Sequence, residues 1–196
     1  MSLTFYYWGM KGRGQLPVIV AMYGELPLVW ERNPAWPAMK EETLFGQLPF
    51  LVDGDIKVSQ SNAIARYLGR KANILGESDA DFALSEALVE EQADLFTLLV
   101  KANYDAEKEQ AFVKTFAESF PAHLQKLEAL LQQDFFTSKL TLGSLAIFSV
   151  LNFALDLEPS VLDATPKLKA FYQRVAALPT VKSYLDLNVP AYFKRG

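Results

Sequence analysis

Gln60 and Ser61 stand between a short β-branched run, Ile56 to Val58, and a helical pattern through Ile64, Tyr67 and Leu68. Ser61 is therefore expected at a helix N-terminus, where free N–H groups and the helix dipole favour an anion. Upstream, Pro49 opens a second short run, Phe50 to Val52. A cis Leu48-Pro49 bond would turn the Leu48 backbone outward and open its N–H and C=O to a ligand. The stretch thus offers a strand-like backbone edge at one end and an anion site at the other, a pair that suits an extended small peptide carrying a carboxylate. On spacing alone, an ordinary hairpin leading into a Ser-capped helix is the simpler reading. Lys11 and Arg13 lie near a second expected helix N-terminus, where positive charge opposes the dipole. That placement points to an anionic ligand, although exposed charges are tolerated there.

The elements that must position these groups follow from the pattern. Asp53-Gly54-Asp55 reads as a tight hairpin turn, because Gly takes the positive φ such a turn demands. Pro49 lacks an N–H and suits a strand start. Leu3 to Trp8 reads as a strand, with Leu3, Phe5 and Tyr7 on one face and Thr4, Tyr6 and Trp8 on the other. A turn over Gly9 to Gly12 leads into a helix from Arg13 to Tyr23, closed by Gly24. Leu26 to Glu31 is the second strand, so the opening unit is βαβ and parallel. The helix from Ser61 ends near Arg70. Lys71 to Asp81, with Asn73, Gly76, Ser78 and Asp79, has the composition of a linker. Beyond it only helical spacing recurs, in Leu84, Leu88, Leu95 and Leu99, and again from Phe112 to Leu131. Pro121 lies inside the second pattern and should kink or restart that helix. Thr165-Pro166 marks a helix start, with Thr as cap and Pro at the first helical position. Leu178-Pro179-Thr180 ends that helix and begins a short one. Strands confined to the first part, with helices after, imply two domains: residues 1–72, a linker at 73–79, and an all-helical domain over 80–196.

Composition removes whole classes of function. The 196 residues are 51% apolar, enough for a full core, and the net charge is −4 with no basic run, which argues against nucleic acid. No stretch is apolar enough to span a bilayer and no signal-peptide pattern opens the chain, so no membrane partner and a cytoplasmic protein are expected. There is no Cys, which excludes disulfides, thiolate metal sites and a protein-thiol nucleophile. The single His123 excludes a multi-His metal site, and no metal is expected. Beside Leu124 and Leu127 on a helical pattern, it reads as a surface or core-edge histidine.

The run from Gly46 to Leu68 contains the pattern Q-L-P-x-L-x-D-G-x-x-x-x-x-Q-S-x-A-I-x-R-Y-L without a gap. That pattern resembles the glutathione-binding signature of the cytosolic glutathione S-transferases. The resemblance covers essentially the whole chain and is nearest to the sigma class, with mu next. It implies a thioredoxin-like N-terminal domain (βαβ-ββα) followed by an all-helical domain carrying the electrophile site and dimer contacts. It implies that the Leu48 backbone, beside Gln47 and Pro49, pairs with the cysteinyl part of glutathione, and that Gln60 and Ser61 hold the γ-glutamyl carboxylate. Tyr7-Trp8-x-x-Lys11-Gly12-Arg13 resembles the start of mu- and sigma-class enzymes. The catalytic tyrosine then falls on Tyr7, with Tyr6 as runner-up if the register slips by one, and Arg13 joins the glutathione site. Trp36 and Lys40 match the sigma-class pair that meets the glycyl end. Asp94 stands where the sigma and mu classes place an acid that reaches across a homodimer to the α-amino group. Phe45 is a dimer-key candidate, and Trp8, Met10 and Tyr104 are candidates for the electrophile site.

The implied reaction is attack of glutathione thiolate on a hydrophobic electrophile, in the service of detoxification, with a tyrosine hydroxyl stabilising the thiolate. A glutathione-dependent isomerase of the prostaglandin D synthase kind, or a non-catalytic crystallin-like or ligand-carrying relative, stays open. The chain departs from the family at Thr141-Leu142-Gly143-Ser144, where Ser144 replaces the acid of a Thr/Ser-x-x-Asp capping box. Gly143 adds a helix-interior cost of about 0.8–1.0 kcal/mol relative to Ala, and Thr137 stands where the family usually has Gly.

Overall fold

Alternation of buried and half-buried side chains puts Leu3 and Phe5 into a core and makes Leu3–Tyr6 the first strand, β1. The computed structural model describes residues 3–131 and 133–193. β1 is shorter than the sequence suggests, because Tyr7 and Trp8 leave the ladder and turn toward α1 (Gln15–Tyr23). α1 leads to β2 (Leu28–Glu31), which pairs parallel to β1 with Leu3 opposite Leu28 and Phe5 opposite Trp30. β3 (Phe50–Asp53) lies antiparallel on the other side of β1, and β4 (Ile56–Ser59) closes the hairpin, with Gly54 at φ +59°. The sheet order is β2-β1-β3-β4. α2 (Ser61–Lys71) packs on α1, and both bury aliphatic faces that include Leu16, Ile19, Ile64 and Leu68.

The end of α1 departs from the expected glycine stop. Gly24 has φ −80°, and Glu25 takes the left-handed φ of +50°. Gly24 is needed for packing instead: a Cβ there would lie 2.5 Å from the Ala72 Cβ at the end of α2.

The helical part runs α3 (Asp79–Asn103), α4 (Lys108–Lys114), α5 (Phe120–Leu130), α6 (Leu142–Leu157), α7 (Pro166–Ala176) and α8 (Pro179–Asp186). Pro121 restarts a helix as expected, and a π-helical turn over Thr115–Ser119 joins α4 to α5. Phe116 in that turn stacks on Phe112 at 6.3 Å and lies tilted against Phe120 at 5.1 Å. His123 is half-buried on α5, its Nδ1 2.6 Å from Glu91 Oε1 of α3.

The chain divides into two compact units near residue 75, with 178–190 joining the first and 191–193 the second. The sequence treated 80–196 as one helical domain. In the structure α8 packs on α1, and Lys11 N–H donates to Pro190 O at 2.8 Å, which places this segment on the first unit.

Within the second unit α6 is buried nearly all round and packs along α3. At Gly143 the two helices approach closely: a Cβ would meet Ser85 O at 2.4 Å and Ser85 Cα at 2.7 Å. The glycine that looked like a helix defect is thus required by packing.

The capping-box pattern does not form. The Thr141 hydroxyl meets Thr137 Oγ1 at 3.2 Å, while Gly143 N–H is taken up by Ser85 Oγ at 2.9 Å. The Ser144 hydroxyl is buried with no partner among the described residues. Thr165 occupies the expected cap of α7 but donates to Leu162 O at 3.4 Å. Glu128 does the capping, accepting from Lys167 N–H at 3.0 Å and Leu168 N–H at 2.8 Å.

Candidate active site

The end of β1, the turn before α1, and the two segments that flank the β3–β4 hairpin enclose a cleft of about 520 Å³ in the first unit. Each wall has a local reason. Pro49 stands one residue before β3, and the Leu48-Pro49 bond is cis, the isomer that turns the Leu48 backbone outward. Gly46, at φ +62°, turns the chain so that Gln47 and Leu48 face the cleft. At the other end of the hairpin Gln60 takes φ +75° between β4 and α2. A non-glycine residue in that region is strained, and such strain concentrates at functional sites. Gln60 is the N-cap, without a side-chain capping bond, and Ser61 is the first helical residue. The Ser-capped helix of the sequence reading is therefore displaced by one residue. Ile64 N–H makes the first helical bond, to Gln60 O at 2.9 Å, so the turn over 61–63 presents its N–H groups at the helix mouth. Both Gln60 and Ser61 line the cleft.

The hairpin that carries these residues is anchored at its far end. Tyr67 Oη donates to Asp53 Oδ2 at 2.6 Å and Lys71 Nζ lies 2.7 Å from the same oxygen. Lys71, then Tyr67, hold the Asp53 carboxyl below the usual carboxylate range. The bond to Asp53 pushes the Tyr67 phenol up, and the same carboxylate raises Lys71. The end of β3 is thereby tied to the last turns of α2, with Gln60 and Ser61 on the connection between hairpin and helix.

Tyr7 lines the same cleft, with Trp8, Arg13 and Trp36. Its main-chain N–H donates to Glu31 O at 3.2 Å, and its C=O accepts from Trp30 Nε1 at 3.0 Å. Its hydroxyl accepts a long bond from Arg13 N–H at 3.3 Å. The ring lies against Gly14, where a Cβ would stand only 2.2 Å from Tyr7 Cδ1. Tyr6 takes no part in the cleft wall; it ends β1 and stacks on Phe50 at 6.1 Å.

The cleft thus gathers Tyr7, Trp8, Arg13 and Trp36 with Gln47, Leu48, Pro49, Gln60 and Ser61. Lys40 stands just outside, its stem against Gly46, where a Cβ would lie 3.2 Å from Lys40 Cε. Met10 is half-buried in the turn after Trp8 and does not line the cleft. Asp94 and Tyr104 belong to the second unit. Asp94 is exposed on α3, and Tyr104 caps the end of that helix with its hydroxyl 3.4 Å from Tyr192 Oη. Phe45 is 63% exposed. Sequence reasoning missed Gly14, Trp30 and a second cis bond, Trp36-Pro37. The paired glycines around Arg13 were a usable signal for the first; nothing local marks Trp30. No helix among the described residues is long and apolar enough to cross a membrane.

Comparison with known proteins carries the same outline. Residues 26–70 match the family description "Glutathione S-transferase, N-terminal domain" and residues 93–187 match "Glutathione S-transferase, C-terminal domain". The mouse (Mus musculus) protein "Glutathione S-transferase Mu 6" is 30% identical, covering 100% of this chain and 97% of its own. The Pi-class glutathione S-transferase of Onchocerca volvulus superposes with a TM-score of 0.87 at 28% identity, over 95% of this chain and 93% of its own. The fold is shared with prostaglandin synthase D of Nilaparvata lugens, at a TM-score of 0.83 and 23% identity over 95% and 98% of the two chains. With a thioredoxin-like N-terminal unit, a helical C-terminal unit and likeness over its full length, this chain belongs to the glutathione S-transferase family.

Proposed function

We propose that the protein is a tyrosine-type glutathione transferase, in which Tyr7 stabilises the thiolate of bound glutathione for attack on a hydrophobic electrophile. The observation that carries this reading is the single cleft that gathers Tyr7, Arg13, Trp36, Leu48, Gln60 and Ser61. The helix mouth at Ser61 suits the γ-glutamyl carboxylate. The Leu48 backbone, at the middle of the cleft-lining stretch, serves the cysteinyl part, and Trp36 with Lys40 serves the glycyl end. A free thiol has a pKa of about 8.5, so little of it is ionised at neutral pH. A phenol O–H donated to the sulfur favours the thiolate and lowers that value. Arg13 N–H donates to the Tyr7 oxygen, and in this reading Tyr7 in turn donates its own O–H to the sulfur. No covalent enzyme intermediate is needed, which is consistent with a chain that has no Cys.

The working form is a homodimer of cytoplasmic type, with Asp94 of one copy meeting the α-amino group of glutathione bound to the other. Its support is an exposed acid on α3 together with the exposed Leu44 and Phe45 on the first unit, which suit an isologous contact. Trp8, Met10 and Tyr104 serve the electrophile. The sigma-class resemblance and the synthase-like fold favour testing a prostaglandin-type isomerisation as the second activity.

The deciding assay is conjugation of glutathione to a nitroaryl halide by wild type, Tyr7→Phe and Tyr6→Phe. Loss of kcat only in Tyr7→Phe supports the assignment, and loss only in Tyr6→Phe moves the role to the neighbouring tyrosine. No turnover in the wild type favours the carrier or structural alternative. Light scattering tests the shared site: a monomer with ordinary glutathione affinity rules it out.

A further inference from the structure

We infer that Trp30 is a positioning residue for Tyr7, holding through its indole N–H the main chain from which the Tyr7 ring enters the cleft. The inference rests on the reading of Tyr7 as the thiolate donor. β1 ends at Tyr6, so the Tyr7 peptide lies beyond the strand ladder with β3. Its carbonyl is met by a side chain, Trp30 Nε1 at 3.0 Å, while its N–H donates to Glu31 O at 3.2 Å. Both main-chain groups of Tyr7 are therefore tied to β2, and that tie sets the direction of its Cα–Cβ bond. The ring and hydroxyl are held separately, by Gly14 and by Arg13 N–H.

The indole is itself fixed. The Arg32 guanidinium carbon lies 4.5 Å from the Trp30 ring centroid. Arg32 is held in turn, its C=O accepting from Gly9 N–H at 3.1 Å and its stem packed where a Gly9 Cβ would be 3.4 Å away. Trp30 does not line the cleft, and its hydrogen bond to the cleft wall runs to the Tyr7 carbonyl. The half-buried ring stands opposite Phe5 in the parallel register, and a smaller phenylalanine there would keep an aromatic ring in the same place. What a phenylalanine lacks is the N–H.

Trp30→Phe keeps an aromatic ring and removes that donor. The readouts are the pH profile of kcat/KM for conjugation, the KM for glutathione and the melting temperature. A displacement of the reacting group by a fraction of an ångström lowers kcat/KM about tenfold near neutral pH and moves the pH midpoint upward, with the KM for glutathione within about twofold. A lowered melting temperature with an unchanged kcat and pH midpoint makes Trp30 a packing residue and overturns the inference. Where Trp30→Phe does not fold, Arg32→Met releases the indole from the exposed side. A fall of about threefold in kcat/KM with the same upward midpoint shift supports the inference; no change overturns it. Tyr7→Phe separates this outcome from the parent reading, because full activity in Tyr7→Phe refutes the role of Tyr7 itself, whatever Trp30→Phe does.

Discussion

Replacing Gly14 by alanine puts a methyl group inside the space of the Tyr7 ring. The new Cβ would stand 2.2 Å from Cδ1, 2.8 Å from Cγ and 2.9 Å from Cε1 of Tyr7. Carbon atoms in contact sit no closer than about 3.5 Å, so the ring or the start of α1 must give by about 1.3 Å, the difference between 3.5 and 2.2 Å. The backbone does not object. Gly14 has φ −84° and ψ −18°, in the right-handed region that alanine favours. Alanine also restricts the unfolded chain, a gain of about 0.4–1 kcal/mol that offsets part of the clash. The fold should therefore persist while the phenol moves. A misplacement of about 1 Å costs about a hundredfold in rate, equivalent to about 2.7 kcal/mol of transition-state stabilisation. The assay is conjugation of a nitroaryl halide under saturating and limiting glutathione, with circular dichroism and a thermal melt as fold controls. The expected result is a kcat/KM about a hundredfold lower and a KM for glutathione within a few-fold. The double mutant with Tyr7→Phe should be no slower than Tyr7→Phe alone, because both changes remove one interaction. Wild-type kcat in a folded Gly14→Ala protein refutes the dependence of catalysis on the position of the Tyr7 ring.

Gly143→Ala should destabilise by about 1–3 kcal/mol in a denaturant melt, since its Cβ would meet Ser85 O at 2.4 Å, a main-chain atom with little room to move. Glu128→Ala removes the acceptor for the first N–H groups of α7 and should cost about 1–2 kcal/mol, read in the same melt. Asp53 has a folded-state pKa below its unfolded value, with Lys71 the main cause. Its stabilising effect is therefore complete above the unfolded value of about 3.9 and is lost as pH falls through the folded value. Asp53→Asn should lower the melting temperature at neutral pH and flatten its decline below about pH 4; an unchanged acid limb contradicts the role of the Lys71–Asp53–Tyr67 tie.

The backbone of one side of the cleft was legible because it is local in sequence, while the roles of its residues came from family resemblance. Pro49, Gln60 and Ser61 sit within one hairpin and its flanks, where turn and strand signals fix backbone direction over a few residues. The four strands, the parallel β1–β2 unit, the β3–β4 hairpin and the restart at Pro121 follow from the same local signals, while the antiparallel β1–β3 pairing joins segments far apart in the chain. What stayed hidden depends on pairs distant along the chain. The Trp30 indole reaches Tyr7, Ser85 takes up the N–H of Gly143, and Glu128 caps α7, and no spacing rule links those positions. The close approaches at Gly24 and Gly143 were equally invisible, because a glycine required by a neighbouring helix looks the same in sequence as one that merely weakens its own. The role expected of Asp94, like those of Tyr7, Trp36 and Lys40, comes from family resemblance alone, since an exposed acid on a long helix carries no signal of its own.

The central claim is that the Tyr7 hydroxyl stabilises the thiolate of bound glutathione, and the most direct measurement is a spectroscopic titration of that thiol in the binary complex. Ultraviolet absorbance of the thiolate is followed against pH for wild type and Tyr7→Phe, each saturated with glutathione. The account predicts a wild-type midpoint well below the value of about 8.5 for a free thiol, and a midpoint in Tyr7→Phe that returns toward it while glutathione still binds. Equal midpoints in two proteins that both bind glutathione contradict the claim.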